Sequence, residues 1–229
     1  MQSILDVASC DSQVCQKNGM ICNQRYPGFI GRNYKEGGLV IIGGKPASTD
    51  SAKFKRKNKE MQNLLDVFSK EKNEESFKEY MTELSSYMEE WSDINLVSKK
   101  MRQTLRYDIE DVAFINLVKC FSSKEAPDGN EMNVIGACGR EIVEKCFVSH
   151  AKKQIEILKP KYVVLLGRSI RDTIAKLGLI DCEVWPAQNG TRGISEEEKL
   201  KEIRPTFEAF AKERTTGTII IRKRNVYHD

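Results

Sequence analysis

VAFINLVKC, Val112 to Cys120, is a run of apolar and β-branched residues that closes on a polar corner of Asn116, Lys119 and Cys120. Apolar character without alternation is what a strand buried on both faces requires, because successive side chains point to opposite sides. Two further runs have the same character: LVIIGG, Leu39 to Gly44, and YVVLLG, Tyr162 to Gly167. Helical sequence separates the three, and that alternation predicts a parallel sheet with helices on both faces. EVWPA, Glu183 to Ala187, reads as a short fourth strand, and TGTIIIRKR, Thr216 to Arg224, as a final strand at an edge. The expected fold class is α/β: a three-layer α/β/α sandwich around a central, mainly parallel four-stranded sheet.

Between the first two strands, residues about 53–107 form a highly charged segment whose apolar members recur at three- and four-residue steps. Leu64, Leu65, Phe68, Phe77, Tyr80, Met81, Leu84, Met88 and Trp91 are among them, the core-facing stripe of amphipathic helices. A helix is expected from Glu141 to Leu158, a second from Ser169 to about Leu177, and a third opening at Ser195 with Glu196, Glu197 and Glu198 in its first turn. No internal repeat or low-complexity linker interrupts the chain, so residues 1–229 are expected to form a single domain.

The bulk composition excludes little else. Hydrophobic residues make up 40% and charged residues 31% of the 229, ordinary proportions for a soluble globular chain able to bury a core. No apolar run is long enough to cross a bilayer, so no membrane association is expected. MQSILDVASC lacks a basic segment followed by an apolar one; no secretory leader is expected, and the default address is cytoplasmic. Seven cysteines, an odd number without an export signal, favour metal or cluster ligation over a disulfide framework. Net charge is only +4, but Lys53, Lys55, Arg56, Lys57 and Lys59 form one basic run and Arg222, Lys223 and Arg224 another. Such runs are a solvated surface unless an independent feature points to nucleic acid.

That feature is the order of the motifs. LVIIGGKPA is a strand, tight turn and Pro; INLVKC, Ile115 to Cys120, ends the second strand; a helix carrying Cys146 follows; and QIEILKPKYVVLLGRS, Gln154 to Ser169, completes the set. From about Cys10 to Arg192 the chain resembles the uracil-DNA glycosylase superfamily, in particular its iron–sulfur branches. Those branches carry a Gly-acid-x-Pro-Gly turn, an Asn-x-x-Lys-Cys strand end, a helix with a further Cys, a Lys-Pro-Lys strand start and a Leu-Gly-Arg turn.

The resemblance implies a 4Fe-4S iron–sulfur cluster with a structural role, held by two cysteines upstream of the first strand and by Cys120 and Cys146. Cys10, Cys15 and Cys22 compete for the two upstream places, and distance to the first strand favours Cys15 and Cys22, with a wider gap between them than the family's usual one. Cys138 and Cys182 read as packing residues. The resemblance also implies DNA as partner, with no obligate protein partner. Asn116 corresponds to the asparagine that pairs with the Watson–Crick edge of a flipped base, a task suited to an amide because it both donates and accepts. Phe54 is either the aromatic platform under that base or ordinary core. Lys45, Lys53, Lys55 and Arg192 are expected phosphate contacts and Asn189 a groove contact. His150 reads as a surface or packing residue, and His228 approaches the site only if the final strand returns there.

Two positions depart from the family pattern. Its first-turn acidic or amide residue falls on Gly44, and its His-Pro-Ser segment falls on Trp185, Pro186 and Ala187. The expectation is therefore a glycosylase with another substrate. Asp50 serves as the carboxylate, unless it only caps the helix near Ser51, and Gly43, Gly44 and Ala47 widen the base site for a bulky modified pyrimidine. Glucosylated hydroxymethylcytosine in phage DNA fits that description, and some superfamily members in bacterial phage defence excise such bases. The alternative is a catalytically silent iron–sulfur DNA-binding protein of the same fold.

Overall fold

The three apolar runs lie side by side in one sheet of the computed structural model, which describes residues 13–17, 20–44, 52–90, 99–122, 138–166, 174, 183–187 and 196–216. In chain order its elements begin with α1 (Gln13–Lys17), β1 (Met20–Arg25), β2 (Phe29–Ile30), β3 (Leu39–Gly43), α2 (Ala52–Glu71), α3 (Glu74–Glu90) and α4 (Lys99–Leu105). A 3-10 turn (Ile109–Asp111) leads into β4 (Val112–Asn116) and β5 (Cys120–Ser122). Then come α5 (Arg140–Cys146), a π turn (Phe147–Ala151), α6 (Lys152–Leu158), β6 (Tyr162–Leu166), β7 (Glu183–Ala187) and α7 (Glu196–Thr216).

The main sheet has the order β2-β4-β3-β6-β7. Its four longer strands are parallel, with Leu39 opposite Val112 on one side and Tyr162 on the other, and Tyr162 opposite Glu183. The expected four-stranded parallel sheet is thus present, with an addition: the two-residue β2 pairs antiparallel to β4 at the far edge. A strand of two residues has no side-chain period to read. Its approach is possible because residue 31 is Gly; a Cβ there would lie 2.3 Å from the backbone of Glu110. At the opposite edge, β7 carries Pro186, and an edge is where a sheet tolerates a residue without an N–H.

Every residue of β3 and β4 is buried, and Leu39, Val40, Ile41 and Ile42 are 0% exposed. Because neighbours along a strand face opposite ways, both faces of the sheet are covered. On one of them Phe210 of α7 meets Tyr162 of β6 edge-on at 6.2 Å, and Phe207 meets Tyr107 at 4.8 Å. The charged segment folds as the amphipathic pattern predicts. α2 and α3 turn about Lys72, with Phe68 against Phe77 at 5.7 Å, and bury Leu65, Tyr80, Leu84 and Met88. Tyr26 joins them to the strand region, donating to Met88 Sδ and stacking near Tyr87.

Two expectations about helices are refined. The helix expected over Glu141 to Leu158 is interrupted by the π turn, whose extra residue shifts the face presented by α6 relative to α5. Thr216, expected to open the final strand, instead ends α7; residues 217–229, and with them His228, lie outside the described residues.

Chain order across the parallel strands is second, first, third, fourth. The direction of connection therefore reverses at β3, and open α/β sheets take their ligands beyond the carboxyl ends of the strands at such a reversal. Gly43, Asn116 and Leu166 lie at that edge.

Candidate functional site

At the carboxyl edge Gly43 and Asn116 are register partners. The strand pairing continues past them, Leu117 N donating to Gly43 O and Val118 N to Gly44 O, both at 2.9 Å. Asn116 is 3% exposed, and its side-chain amide lies against Gly43. The amide sits where a side chain at position 43 would be: a Cβ on Gly43 would lie 2.5 Å from Asn116 Oδ1 and 3.2 Å from Phe114 Cζ. Gly43 thus makes room for Asn116 rather than for a substrate. Gly43→Ala is expected to displace the amide and cost about 1–3 kcal/mol through overpacking, read from the urea midpoint at unchanged m-value.

Two residues on, the chain turns inward. Lys119 is 1% exposed, and its ammonium donates to Asn116 O at 2.6 Å and to Oε1 of Gln154 on α6. Gln154, equally buried, donates through Nε2 to Pro27 O at 2.6 Å. Burial pushes the Lys119 ammonium down to about 7, against the opposing pull of Cys146. The Lys119 N–H donates to Cys146 Sγ at 3.4 Å.

Cys146 belongs to a small cavity of about 30 Å³. Cys15, Cys120 and Cys146 all line it, with Met20, Val118, Lys119, Ile142, Lys145, Ser149 and His150. Three elements far apart in sequence deliver the thiols: α1, the first residue of β5, and the last residue of α5. β5 pairs antiparallel with β1, Met20 opposite Ser122 and Arg25 opposite Cys120, so the backbone of Cys22 runs in the ribbon that borders the cavity. The π turn adds Ser149 and His150 to the wall, so His150 is half-buried beside the thiols. Cys138 is buried but does not line the cavity, in keeping with a packing role. Among the described residues no three of His, Cys, Asp and Glu stand close enough to hold a metal ion as they are.

Of the residues expected from sequence, the structure brings together Gly43 and Asn116 at the strand edge, and Cys15, Cys120 and Cys146 at the cavity; Gly44 is half-buried just past β3. Lys53, Phe54 and Lys55 fall in the first turn of α2, and Cys22 and Trp185 in β1 and β7. Only the backbone of these five is described. Cys10, Lys45, Ala47, Asp50, Cys182, Asn189 and Arg192 lie outside the described residues, as does the turn at Gly167 and Arg168.

The buried pair Lys119 and Gln154 escaped the sequence reading. A lysine beside a cysteine at a strand end reads as surface charge, because lysine is almost never fully buried. The available signal was on α6, where Gln154 falls on the stripe of Ala151, Ile155 and Leu158, all buried.

A parallel sheet with a buried asparagine at its carboxyl edge, followed in the chain by Val118, Lys119 and Cys120 of a thiol-lined cavity, defines the class as an open α/β protein. The chain belongs to the Uracil DNA glycosylase superfamily, whose profile matches residues 33–214, from before β3 into α7. No curated protein matches it. Membership makes DNA the class of partner and DNA glycosylase chemistry the general activity. Among the described residues no helix is long and apolar enough to cross a membrane.

Proposed function

We propose that this protein is a cytoplasmic DNA glycosylase that cleaves the N-glycosidic bond of a flipped, bulky modified base and leaves an abasic site. The observation that carries the reading is the placement of Asn116, 3% exposed at the carboxyl edge of a parallel sheet within the family match. A flipped base suits that amide, which can both donate and accept. As the bond to the base breaks, positive charge builds on the sugar, and Asp50 is the carboxylate assigned to stabilise it or orient water. Water then delivers hydroxide to C1′ and its proton goes to the departing base. By the resemblance, Gly44 and Ala47 correspond to positions at which uracil enzymes crowd out large substituents, which favours a base such as glucosylated hydroxymethylcytosine in phage DNA, and with it a role in antiviral defence. The basic residues Lys45, Lys53, Lys55 and Arg192, with Asn189, bind the DNA backbone and groove. Burial on both sheet faces supports the three-layer arrangement of the fold.

A 4Fe-4S cluster completes the proposal. What supports it is that Cys15, Cys120 and Cys146, from separate elements, line one cavity, that a main-chain N–H donates to Cys146 Sγ, and that Cys22 lies in the adjoining ribbon. Cys15, Cys22, Cys120 and Cys146 are the assigned ligands. The cluster's role is structural, fastening the ribbon of β1 and β5 to α5 beside the DNA-facing edge.

Duplex DNA carrying glucosylated hydroxymethylcytosine is expected to acquire alkali-labile sites on incubation with the protein, and unmodified duplex to acquire none. Normal binding of the modified duplex without alkali-labile sites would remove the reading. Gly44, in place of the family's acidic residue, favours a second reading, a silent DNA-binding protein. Asp50→Ala bears on both: abolished base release assigns the carboxylate, and unchanged cellular activity favours silent binding or another catalytic residue.

A further inference from the structure

The corner after β4 is held in an unusual way for a strand end. Leu117 and Val118 donate to the main chain of Gly43 and Gly44, Tyr26 N donates to Lys119 O at 2.7 Å, and Lys119 N donates to Cys146 Sγ. Inside that frame the Lys119 side chain folds back three residues to the carbonyl of Asn116, and its second bond anchors the ammonium to Gln154 and so to Pro27. The carbonyl of Asn116 shares its peptide plane with the N–H of Leu117, so Lys119 Nζ on one edge and Gly43 O on the other hold the plane that adjoins the Asn116 side chain.

We propose that Lys119 is a positioning residue for Asn116, orienting the amide from within the core through the main-chain carbonyl. The inference rests on the reading of Asn116 as the base-recognising residue. A buried ammonium is a poor way merely to fill space, since an apolar side chain of the same length avoids its desolvation. What the ammonium adds is direction: a charge-assisted bond to one carbonyl, with Gln154 holding its other side. Because Lys119 N also binds Cys146 Sγ, the same residue joins the cysteine cavity to the recognition edge.

The test is Lys119→Met, which keeps length and removes the charge. The expected result is a lowered thermal midpoint, because Asn116 O and Gln154 Oε1 lose their buried donor, with equal affinity of the folded protein for glucosylated duplex. Single-turnover base release should fall by about 100-fold, the effect of misplacing a reacting group by about 1 Å. A purely structural lysine would lower stability and leave the release rate of the folded fraction unchanged, and that outcome overturns the proposal. If the parent releases no base, the functional reading fails separately, and the crystal structure of the variant decides the positioning claim. A turned Asn116 carbonyl with Val112 to Ile115 superposed upholds it; an unmoved Asn116 overturns it. Should Lys119→Met not fold, Gln154→Met removes the anchor while keeping the ammonium, and the same rate and structural criteria apply.

Discussion

Asn116→Ala will lower base release by about 10²–10³-fold, the usual loss for one preorganised hydrogen-bond donor at a reacting group, and leave duplex affinity unchanged. The split follows from where Asn116 sits. It is 3% exposed at the end of β4, and on the proposed reading it meets only a nucleotide already extruded from the duplex, whereas general affinity comes from cations contacting phosphates. Asn116→Asp will be as damaging despite its matched shape, because it presents a second acceptor where the base requires a donor. Single-turnover rates beside equilibrium binding to the same modified duplex make the measurement. Equal losses in rate and affinity would place Asn116 in general DNA binding instead.

Cys146→Ala and Cys120→Ala will each abolish bound iron and acid-labile sulfide, present in equal amounts in the parent protein purified without oxygen. Each will also cost more than about 4 kcal/mol, the range reached when a structural metal site is lost. The thiols of both residues face one cavity with Cys15, and they join α5 to the ribbon of β1 and β5. Cys138→Ala is the control: buried outside that cavity, it will keep iron and sulfide. Elemental analysis and denaturant midpoints of the three variants read the outcome. Full iron in Cys120→Ala and Cys146→Ala would show that the thiols only pack.

The sheet was largely legible in the chain because β3, β4 and β6 are buried on both faces and therefore have no polar residue to interrupt them. The stripe of α2 and α3 was legible for the opposite reason, since only one side is buried. What escaped was held by backbone and corners. β2 has two residues, and β1 pairs with β5 through an irregular register between Ile21 and Arg25, so neither shows a side-chain period. The π turn likewise has no signature in FVSHA. At the site, the residue types at Asn116, Cys120 and Cys146 pointed to their chemistry, but their mutual placement did not. Gly43 looked like space for a substrate until the strand register put Asn116 in it. Lys119 read only as one member of a polar corner, and its burial depends on Gln154 of α6, itself bound to Pro27 O.

The central claim is cleavage of an N-glycosidic bond, and mass analysis of the small molecules released from DNAs of defined modification tests it most directly. The protein is predicted to release a free modified base from glucosylated hydroxymethylcytosine DNA, with an equal yield of abasic sites in the strand. Absence of any free base from every DNA that the protein binds would contradict the claim and leave a binding protein on a glycosylase scaffold.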